Sequence, residues 1–337
     1  MRVDVLVAGG GPIGLAAAIE ARLAGLTVAV IEPRDDAIDK ACGEGLMPGA
    51  LPLLQRLGVD PGGMPLRGVS YQNGTRRADH YFRTGPGRGV RRTTLQAALG
   101  ARADALGVQR IVGRVDSVSH DADEVVAGDI SAGWLFACDG LNSGIRKLVG
   151  LERTVSRPGR RYGLRQHFAI QPWSDLIEVH WTPKAEVYVT PVSPTEVGVA
   201  VLGPRGTDFV STVARVPALA ALRGAEPAST VRGAGPFQQR AARPSNGRVL
   251  LIGDASGYVD AITGEGLRLG FEQAAVAVAA VLGGPSYDRQ WRRVTRDFRV
   301  LTSGLVRAAM SPFRGAIVPT AAALPSLYGS VVERLSR

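Results

Sequence analysis

The stretch that most constrains this chain is VLVAGGGPIGLAAAIEARLAGLTVAVIE near its start, and within it the cluster GGGPIG, residues 9–14. A G-x-G-x-x-G pattern alone is weak, because glycine-rich turns arise in many loops. Its surroundings give it weight. Residues 3–8 form an apolar run suited to a buried parallel strand, residues 12–24 are Ala-rich and helix-prone, and residues 27–31 read as a second strand that ends in Glu32. The order strand, tight turn, helix, strand, acid predicts a dinucleotide-binding βαβ unit. Gly9 makes the sharp turn, Gly11 lets backbone N–H groups approach a pyrophosphate, and Gly14 packs helix on strand. Pro12 and Ile13 open the helix, whose positive N-terminal end faces the phosphates. Glu32 is placed to accept hydrogen bonds from both ribose hydroxyls and to repel a 2′-phosphate. These residues predict an adenine dinucleotide, NAD or FAD.

The remaining composition narrows the class. A chain of 337 residues holds one large domain or two of ordinary size. Its two cysteines, Cys42 and Cys138, are far apart and outline no disulfide framework, so a reducing cytoplasm is expected. The apolar N-terminus is already used as a strand and lacks the basic region and cleavage site of a secretory signal. The net charge of +10 comes from arginines that are scattered rather than gathered with aromatics into a patch, which argues against nucleic acid. Anionic partners fit better: a pyrophosphate cofactor, NAD(P)H, an acidic or carrier-bound substrate, or an anionic membrane surface. Four histidines and two cysteines show no metal-ligand spacing, so no metal is expected.

Further along, CGEGLMPGALPLLQRLGV places Leu51, Leu54 and Leu57 on one helical face, and residues 68–72 and 78–82 are strand-like. A helix is predicted over 93–106, with strands over 109–118 and 134–137, the latter running into CDGLNSGIRK. From 162 to about 202 the segments YGLRQHFAI, LIEVHW, EVYVTPV and EVGVAVL alternate in strand fashion between turns, which predicts an antiparallel sheet. The strand, loop and long helix of GRVLLIGDASGYVDAITGEGLRLGFEQAAVAVAAVL then resume the nucleotide-binding pattern. Residues 315–332 contain no charge over a length near that of a membrane span, yet Pro319 and Pro325 interrupt them. A helical tail packed on the body is expected there, with peripheral contact to lipid or to a long apolar substrate as its functional alternative.

Three motifs in this order, the N-terminal βαβ, ACDGLNSGIRKLVG and the GDA loop with its helix, resemble the FAD-dependent oxidoreductases of the para-hydroxybenzoate hydroxylase and geranylgeranyl reductase superfamily. The resemblance covers residues 3 to about 282 and implies an α/β chain, α+β overall. It implies a Rossmann-like FAD-binding domain of glutathione-reductase type, an inserted antiparallel β-sheet substrate domain and a helical C-terminus. The expected boundaries are 1–70, 84–160 and 234–285 for the FAD-binding domain, 71–83 and 161–233 for the sheet, and 286–337 for the tail. The resemblance implies bound FAD with NAD(P)H as transient reductant. Asp254 of GDA would hold the ribityl chain. Gly264, Gly266 and Leu267 of TGEGL would face the pyrimidine end of the flavin, with Thr263 as a helix N-cap. Asp139 and Gly140 of CDG would serve both FAD and NAD(P)H. Arg92, or its neighbour Arg91, would reach the cofactor from a helix start, and Val115 would offer backbone contacts near the adenine.

The reaction is read less directly. CGEGL and TGEGL look like the reductase branch, whereas GEGLMPGALPLLQRLG resembles the hydroxylases at least as well. The aromatic signatures that reductases and halogenases carry on the sheet are missing from EVYVTP, residues 186–191, where only the proline matches. The expectation is an NAD(P)H-dependent monooxygenase that hydroxylates an aromatic or polyketide-like small molecule through a flavin C4a-hydroperoxide. A reductase of prenyl double bonds is the alternative. A flavin halogenase and a non-enzymatic lipid-binding escort follow; intact Asp139 and Asp254 weigh against the escort. His167, His180 and Tyr188 are candidates to orient or deprotonate a phenol, with Arg165 as an anion site. Alternation places Glu178 and His180 on one strand face. Cys42, beside Glu44, is a candidate to touch substrate or flavin, or is simply a small buried hydrophobe.

Overall fold

The computed structural model describes residues 1–35, 38–154 and 160–337. Residues 36–37 and 155–159, which fall inside the ranges expected for FAD binding, lie outside the described residues. The N-terminal apolar run forms β1 (Arg2–Ala8), with Val5, Leu6 and Val7 fully buried. Burial on both faces is what a continuous Val/Leu run selects. Helix α1 (Pro12–Leu23) follows, with Gly11 at its N-cap and proline at its first position, where the missing N–H would be unpaired anyway. Strand β2 (Val28–Glu32) then pairs with β1 in parallel.

Helix α2 (Ala50–Arg56) precedes β3 (Gly68–Gln72) and β4 (Arg77–Tyr81). Helix α3 (Arg92–Ala105) leads to β5 (Gln109–Val112), which pairs in parallel with β2. The strand expected to reach 118 stops at Val112. Its partner β2 ends opposite that residue at Glu32, so the ladder has nothing further to bond. Strand β6 (Ile130–Ala137) begins earlier than expected because it also pairs with residues 125–127.

A second sheet is built from β7 (Arg161–Ala169), β8 (Leu176–Trp181), β9 (Glu186–Ser193) and β10 (Glu196–Pro204). Its order is β7-β10-β9-β8-β3-β4, antiparallel throughout except where β8 meets β3 in parallel. That junction joins the first sheet segment of the chain to the later one. One face is packed by Val187, Val189, Val197, Val199 and Val201 against Phe209 and Leu219; the other carries Ile177, Val179 and Leu202.

The chain returns to the first sheet through β11 (Val249–Leu251), giving the order β11-β6-β1-β2-β5, all parallel. Helix α4 (Gly266–Val281) packs on α1, and Gly270 gives Ile13 its place: a Cβ there would lie 2.3 Å from the Ile13 Cδ1. Long α5 (Tyr287–Ala309), then α6 (Ile317–Ala323) and α7 (Pro325–Ser336), complete the chain. Helices α6 and α7 cross β4. They are fastened there by Glu333, which meets His80 Nε2 at 2.8 Å and accepts from the Arg83 N–H at 2.9 Å. The Tyr328 hydroxyl donates to the Val69 carbonyl at 3.2 Å. At its far end α7 reaches the start of α2, where the Gly49 N–H donates to the Ser336 carbonyl at 2.8 Å.

Candidate functional site

A cavity of about 1130 Å³ runs from the C-terminal ends of β1, β2 and β6 to the inner face of the second sheet. That position, outside the carboxyl ends of parallel strands, is where open α/β sheets bind ligands. At one end stands the glycine turn. Gly9 has φ +107°, and a Cβ there would lie 2.5 Å from the Cys138 carbonyl oxygen. A Cβ on Gly14 would lie 1.8 Å from the Gly9 carbonyl oxygen. At Gly11 the nearest atom to an added Cβ is an Arg92 guanidinium nitrogen at 3.7 Å. Gly9 and Gly14 therefore serve packing, while Gly11 keeps the start of α1 open to the cavity, with Pro12 and Ile13 on its wall. Glu32 accepts from the Gly10 N–H at 2.8 Å and from Arg34 Nε at 2.6 Å. Burial pushes its pKa up, but these bonds outweigh it and hold the carboxyl below its usual range, so it stays an acceptor. Val115 lines the wall nearby, from irregular backbone.

Midway, Arg92 lines the cavity at the first turn of α3, its N–H donating to Glu44 Oε1 at 2.9 Å. Arg91, its expected substitute, turns away, pairing with Glu196 at 3.1 Å and approaching His167 Nδ1 at 3.3 Å. Asp139 accepts from the Ile145 N–H at 3.0 Å through Oδ2, while its buried Oδ1 has no partner. Gly140 follows with φ +82°. Asp254, half-buried, also lines the cavity; desolvation raises its pKa against the opposing pull of Arg92, Lys40 and Arg146. Lys40 also lines the cavity, and no motif marked it. Burial, reinforced by Arg34 and Arg92, lowers its pKa.

Gly264, with φ +72°, and Gly266 and Leu267 lie where α4 begins. Thr263 is not the N-cap, which corrects the expectation. Glu265 takes that position, two residues later than expected, and the Thr263 hydroxyl instead meets Thr302 at 3.1 Å. Glu265 went unnoticed in the sequence. It lines the cavity, pairs with Arg268 Nε at 2.6 Å, and burial pushes its pKa up to about 7.

The second sheet supplies the far wall, and strand alternation decides which candidates reach it. Ile177 and Val179 line the cavity, so His180 projects to the opposite face, where it bonds Glu178 at 3.1 Å. That removes His180 from the reacting centre. Tyr188, opposite Val179, does line it. Its hydroxyl donates to the Ile262 carbonyl at 3.0 Å, and burial, then Glu186, hold its pKa well above the usual value. Of the two roles considered for it, orienting or deprotonating a phenol, this fixed neutral hydroxyl suits the first.

His167 sits on the cavity-side face of β7 but is covered by Glu44, whose Oε2 lies 2.5 Å from Nε2. Ser229 Oγ is 2.9 Å and Arg165 3.1 Å from its Nδ1. Arg165 is paired with Asp39, so it offers no free cation. Glu44 lines the cavity in a left-handed backbone conformation, φ 58°, uncommon for a residue with a side chain. Cys42 lines the cavity too; burial raises its pKa and keeps it a neutral thiol.

These groups fit a flavin dinucleotide: an open helix start for pyrophosphate, an ionised acid for ribose, an unpartnered Asp139 oxygen, Asp254 for a hydroxylated chain, and a second helix start at Gly266. Among the described residues no group of histidine, cysteine and carboxylate side chains could hold a metal ion.

Comparison with known proteins agrees. The sequence profile of the FAD binding domain family matches residues 2–288. A menaquinone reductase of Mycolicibacterium smegmatis is 28% identical, over 88% of this chain and 81% of its own. A 12-dehydrotetracycline 5-monooxygenase/anhydrotetracycline 6-monooxygenase of Streptomyces rimosus is 26% identical over 81% of this chain, which spans 61% of that protein. Among solved structures, a flavoprotein/dehydrogenase of Cytophaga hutchinsonii superposes with TM-score 0.85 at 19% identity, covering 100% of this chain and 93% of that one. The OxyS anhydrotetracycline hydroxylase of Streptomyces rimosus gives 0.70 at 24% identity, covering 100% and 76%.

Proposed function

The chain belongs to the FAD binding domain family and is an FAD-dependent oxidoreductase; from that premise we propose that it is a monooxygenase, placing one oxygen atom on an electron-rich ring of an apolar small molecule with NAD(P)H as transient reductant. The observation that carries this reading is the convergence of Tyr71, Tyr188, Phe237 and Tyr258 on one end of the cavity, beside Ile177, Val179 and Leu202. Such walls favour a planar ring stacked or tilted against them. When bound, FAD would supply the redox chemistry, with nicotinamide as electron source and oxygen as acceptor.

The chain's own residues position and protect. The start of α1 binds pyrophosphate, Glu32 a ribose, Arg92 and Asp139 the middle of the cofactor, and Asp254 the ribityl chain. The start of α4, with Gly264, Gly266 and Leu267, receives the pyrimidine end. The apolar wall excludes water from the reacting atoms. Tyr188 and Cys42 are both neutral, so neither takes a proton from a phenolic ring. Glu44 does, because it faces the cavity and contacts His167, which in turn contacts Ser229: a hydrogen-bonded route leads outward from the ring.

A second reading, reduction of a carbon–carbon double bond in a prenyl or quinone-like lipid, is favoured by Cys42, a neutral thiol on the cavity wall and a fitting proton donor. It is also favoured by the reductase relative's coverage. Incubation of the FAD-loaded enzyme with NADPH, candidate phenolic lipids and ¹⁸O₂ separates the two. Products that carry one labelled oxygen support the monooxygenase; turnover without oxygen and a gain of two hydrogens sinks it.

A further inference from the structure

Helix α5 has an uncovered face. Its exposed residues recur at helical spacing: Arg289, Arg292 and Arg293, Arg296, Val300, Gly304, Arg307 and Met310. The first half of this stripe is basic. Among the described residues Arg289, Arg292 and Arg293, and Arg307 near the other end, have no ion-pair partner; of the two acids of the helix, Asp288 accepts from the Ser245 hydroxyl and Asp297 is held by Arg334 and by Arg296 of the stripe itself.

The second half turns apolar. Val300 is 66% exposed, Met310 46% and Phe313, in the short turn after the helix, 76%. Leu324 at 50% and Leu327 at 57% lie at the elbow between α6 and α7, where the chain bends by 101°. These five are among fourteen strongly exposed large apolar side chains of the described residues; the other nine are scattered along the first 282 residues. Helix α5 packs against both the turn that carries Phe313 and α7, so the basic stripe and the apolar tips belong to one assembly. Among the described residues no single helix is long and apolar enough to cross a membrane.

We propose that this C-terminal assembly is a docking surface for an anionic lipid bilayer, with the arginines of α5 on the headgroups and Phe313, Leu324 and Leu327 inserted at the acyl boundary. Uncompensated cations beside exposed large apolar side chains are the pairing such a surface selects. Neither feature alone singles it out: a protein partner would meet the apolar tips without requiring unpaired arginines along the same helix assembly, and a polyanion would not select Phe313. The same helix α7 lines the cavity with Val332 and Leu335, so the docked end of the molecule is also the end that holds substrate. The proposal does not depend on which redox reaction occurs there.

The test is co-sedimentation of the FAD-loaded full chain with vesicles of phosphatidylcholine alone or mixed with phosphatidylglycerol. Binding is expected to the mixed vesicles, falling as salt is raised. The double variant Phe313→Asp, Leu327→Asp should lose about tenfold in partitioning, and Arg292→Glu with Arg293→Glu should remove the preference for anionic lipid. Both should keep wild-type flavin content and melting temperature. Failure of the wild-type holoenzyme to bind mixed vesicles overturns the proposal, as does unchanged binding by the double variant. Concentration-dependent self-association, abolished by the same substitutions without vesicle binding, would instead assign the face to a second copy of the chain.

Discussion

Gly14 shows how much one missing methyl carries. An added Cβ would enter the Gly9 carbonyl, so Gly14→Ala must push α1 off the turn that faces the cofactor. The expected outcome is purified protein whose flavin absorbance, relative to protein absorbance, falls about tenfold or more, because the displaced turn no longer presents its N–H groups to the pyrophosphate. Gly62→Ala, away from the cavity and with nothing within 4 Å, should stay yellow. The N-terminal glycines were legible because backbone sterics are local. His180 and His167 were not. Which side of β8 faces inward follows from its neighbours β9 and β3, and the Glu44–His167 contact spans 123 positions. His180→Gln is therefore expected to leave kcat/KM within about twofold of wild type, whereas Glu44→Gln should lower kcat.

At the scale of elements, the loop after β11 is joined to the second sheet and the C-terminal turn by a buried cluster. Asp260 faces Arg161, Arg161 pairs with Glu186, and Glu186 meets Arg314 at 2.7 Å. Burial, with Glu186 adding to it against the pull of Arg161, raises the Asp260 pKa to about 6. The native state thus holds a proton that the unfolded chain releases near its ordinary value of 3.8. This contribution to stability is complete below that value and is lost as pH rises through about 6, a change on the order of 3 kcal/mol. Asp260→Asn should flatten this segment of the stability curve, read as denaturation midpoints between pH 4 and pH 8. A wild-type curve that rises across the window would contradict it. Sequence periodicity found most strands of this sheet, but the parallel β8–β3 junction was hidden, because pairing partners far apart in the chain leave no local pattern.

For the molecule as a whole, two sheets meet around one cavity and the last helices close its side. Glu333 holds α7 to β4 through His80 and the Arg83 N–H. Glu333→Ala strips a buried acceptor from both and should lower stability by about 1–3 kcal/mol. Because α7 lines the cavity with Val332, which packs on the apolar wall, and with Leu335, KM should rise more than kcat falls, with flavin content unchanged; loss of flavin would show that α7 supports the cofactor end as well. The tail's helical character followed from its composition, whereas its place across β4 depends on long-range contacts. The Gly49–Ser336 hydrogen bond ties the end of α7 to the segment that also carries Cys42 and Glu44. Displacing that helix would therefore drag the loop of Cys42 and Glu44 with it, coupling the cavity's side wall to the placement of its chemical groups.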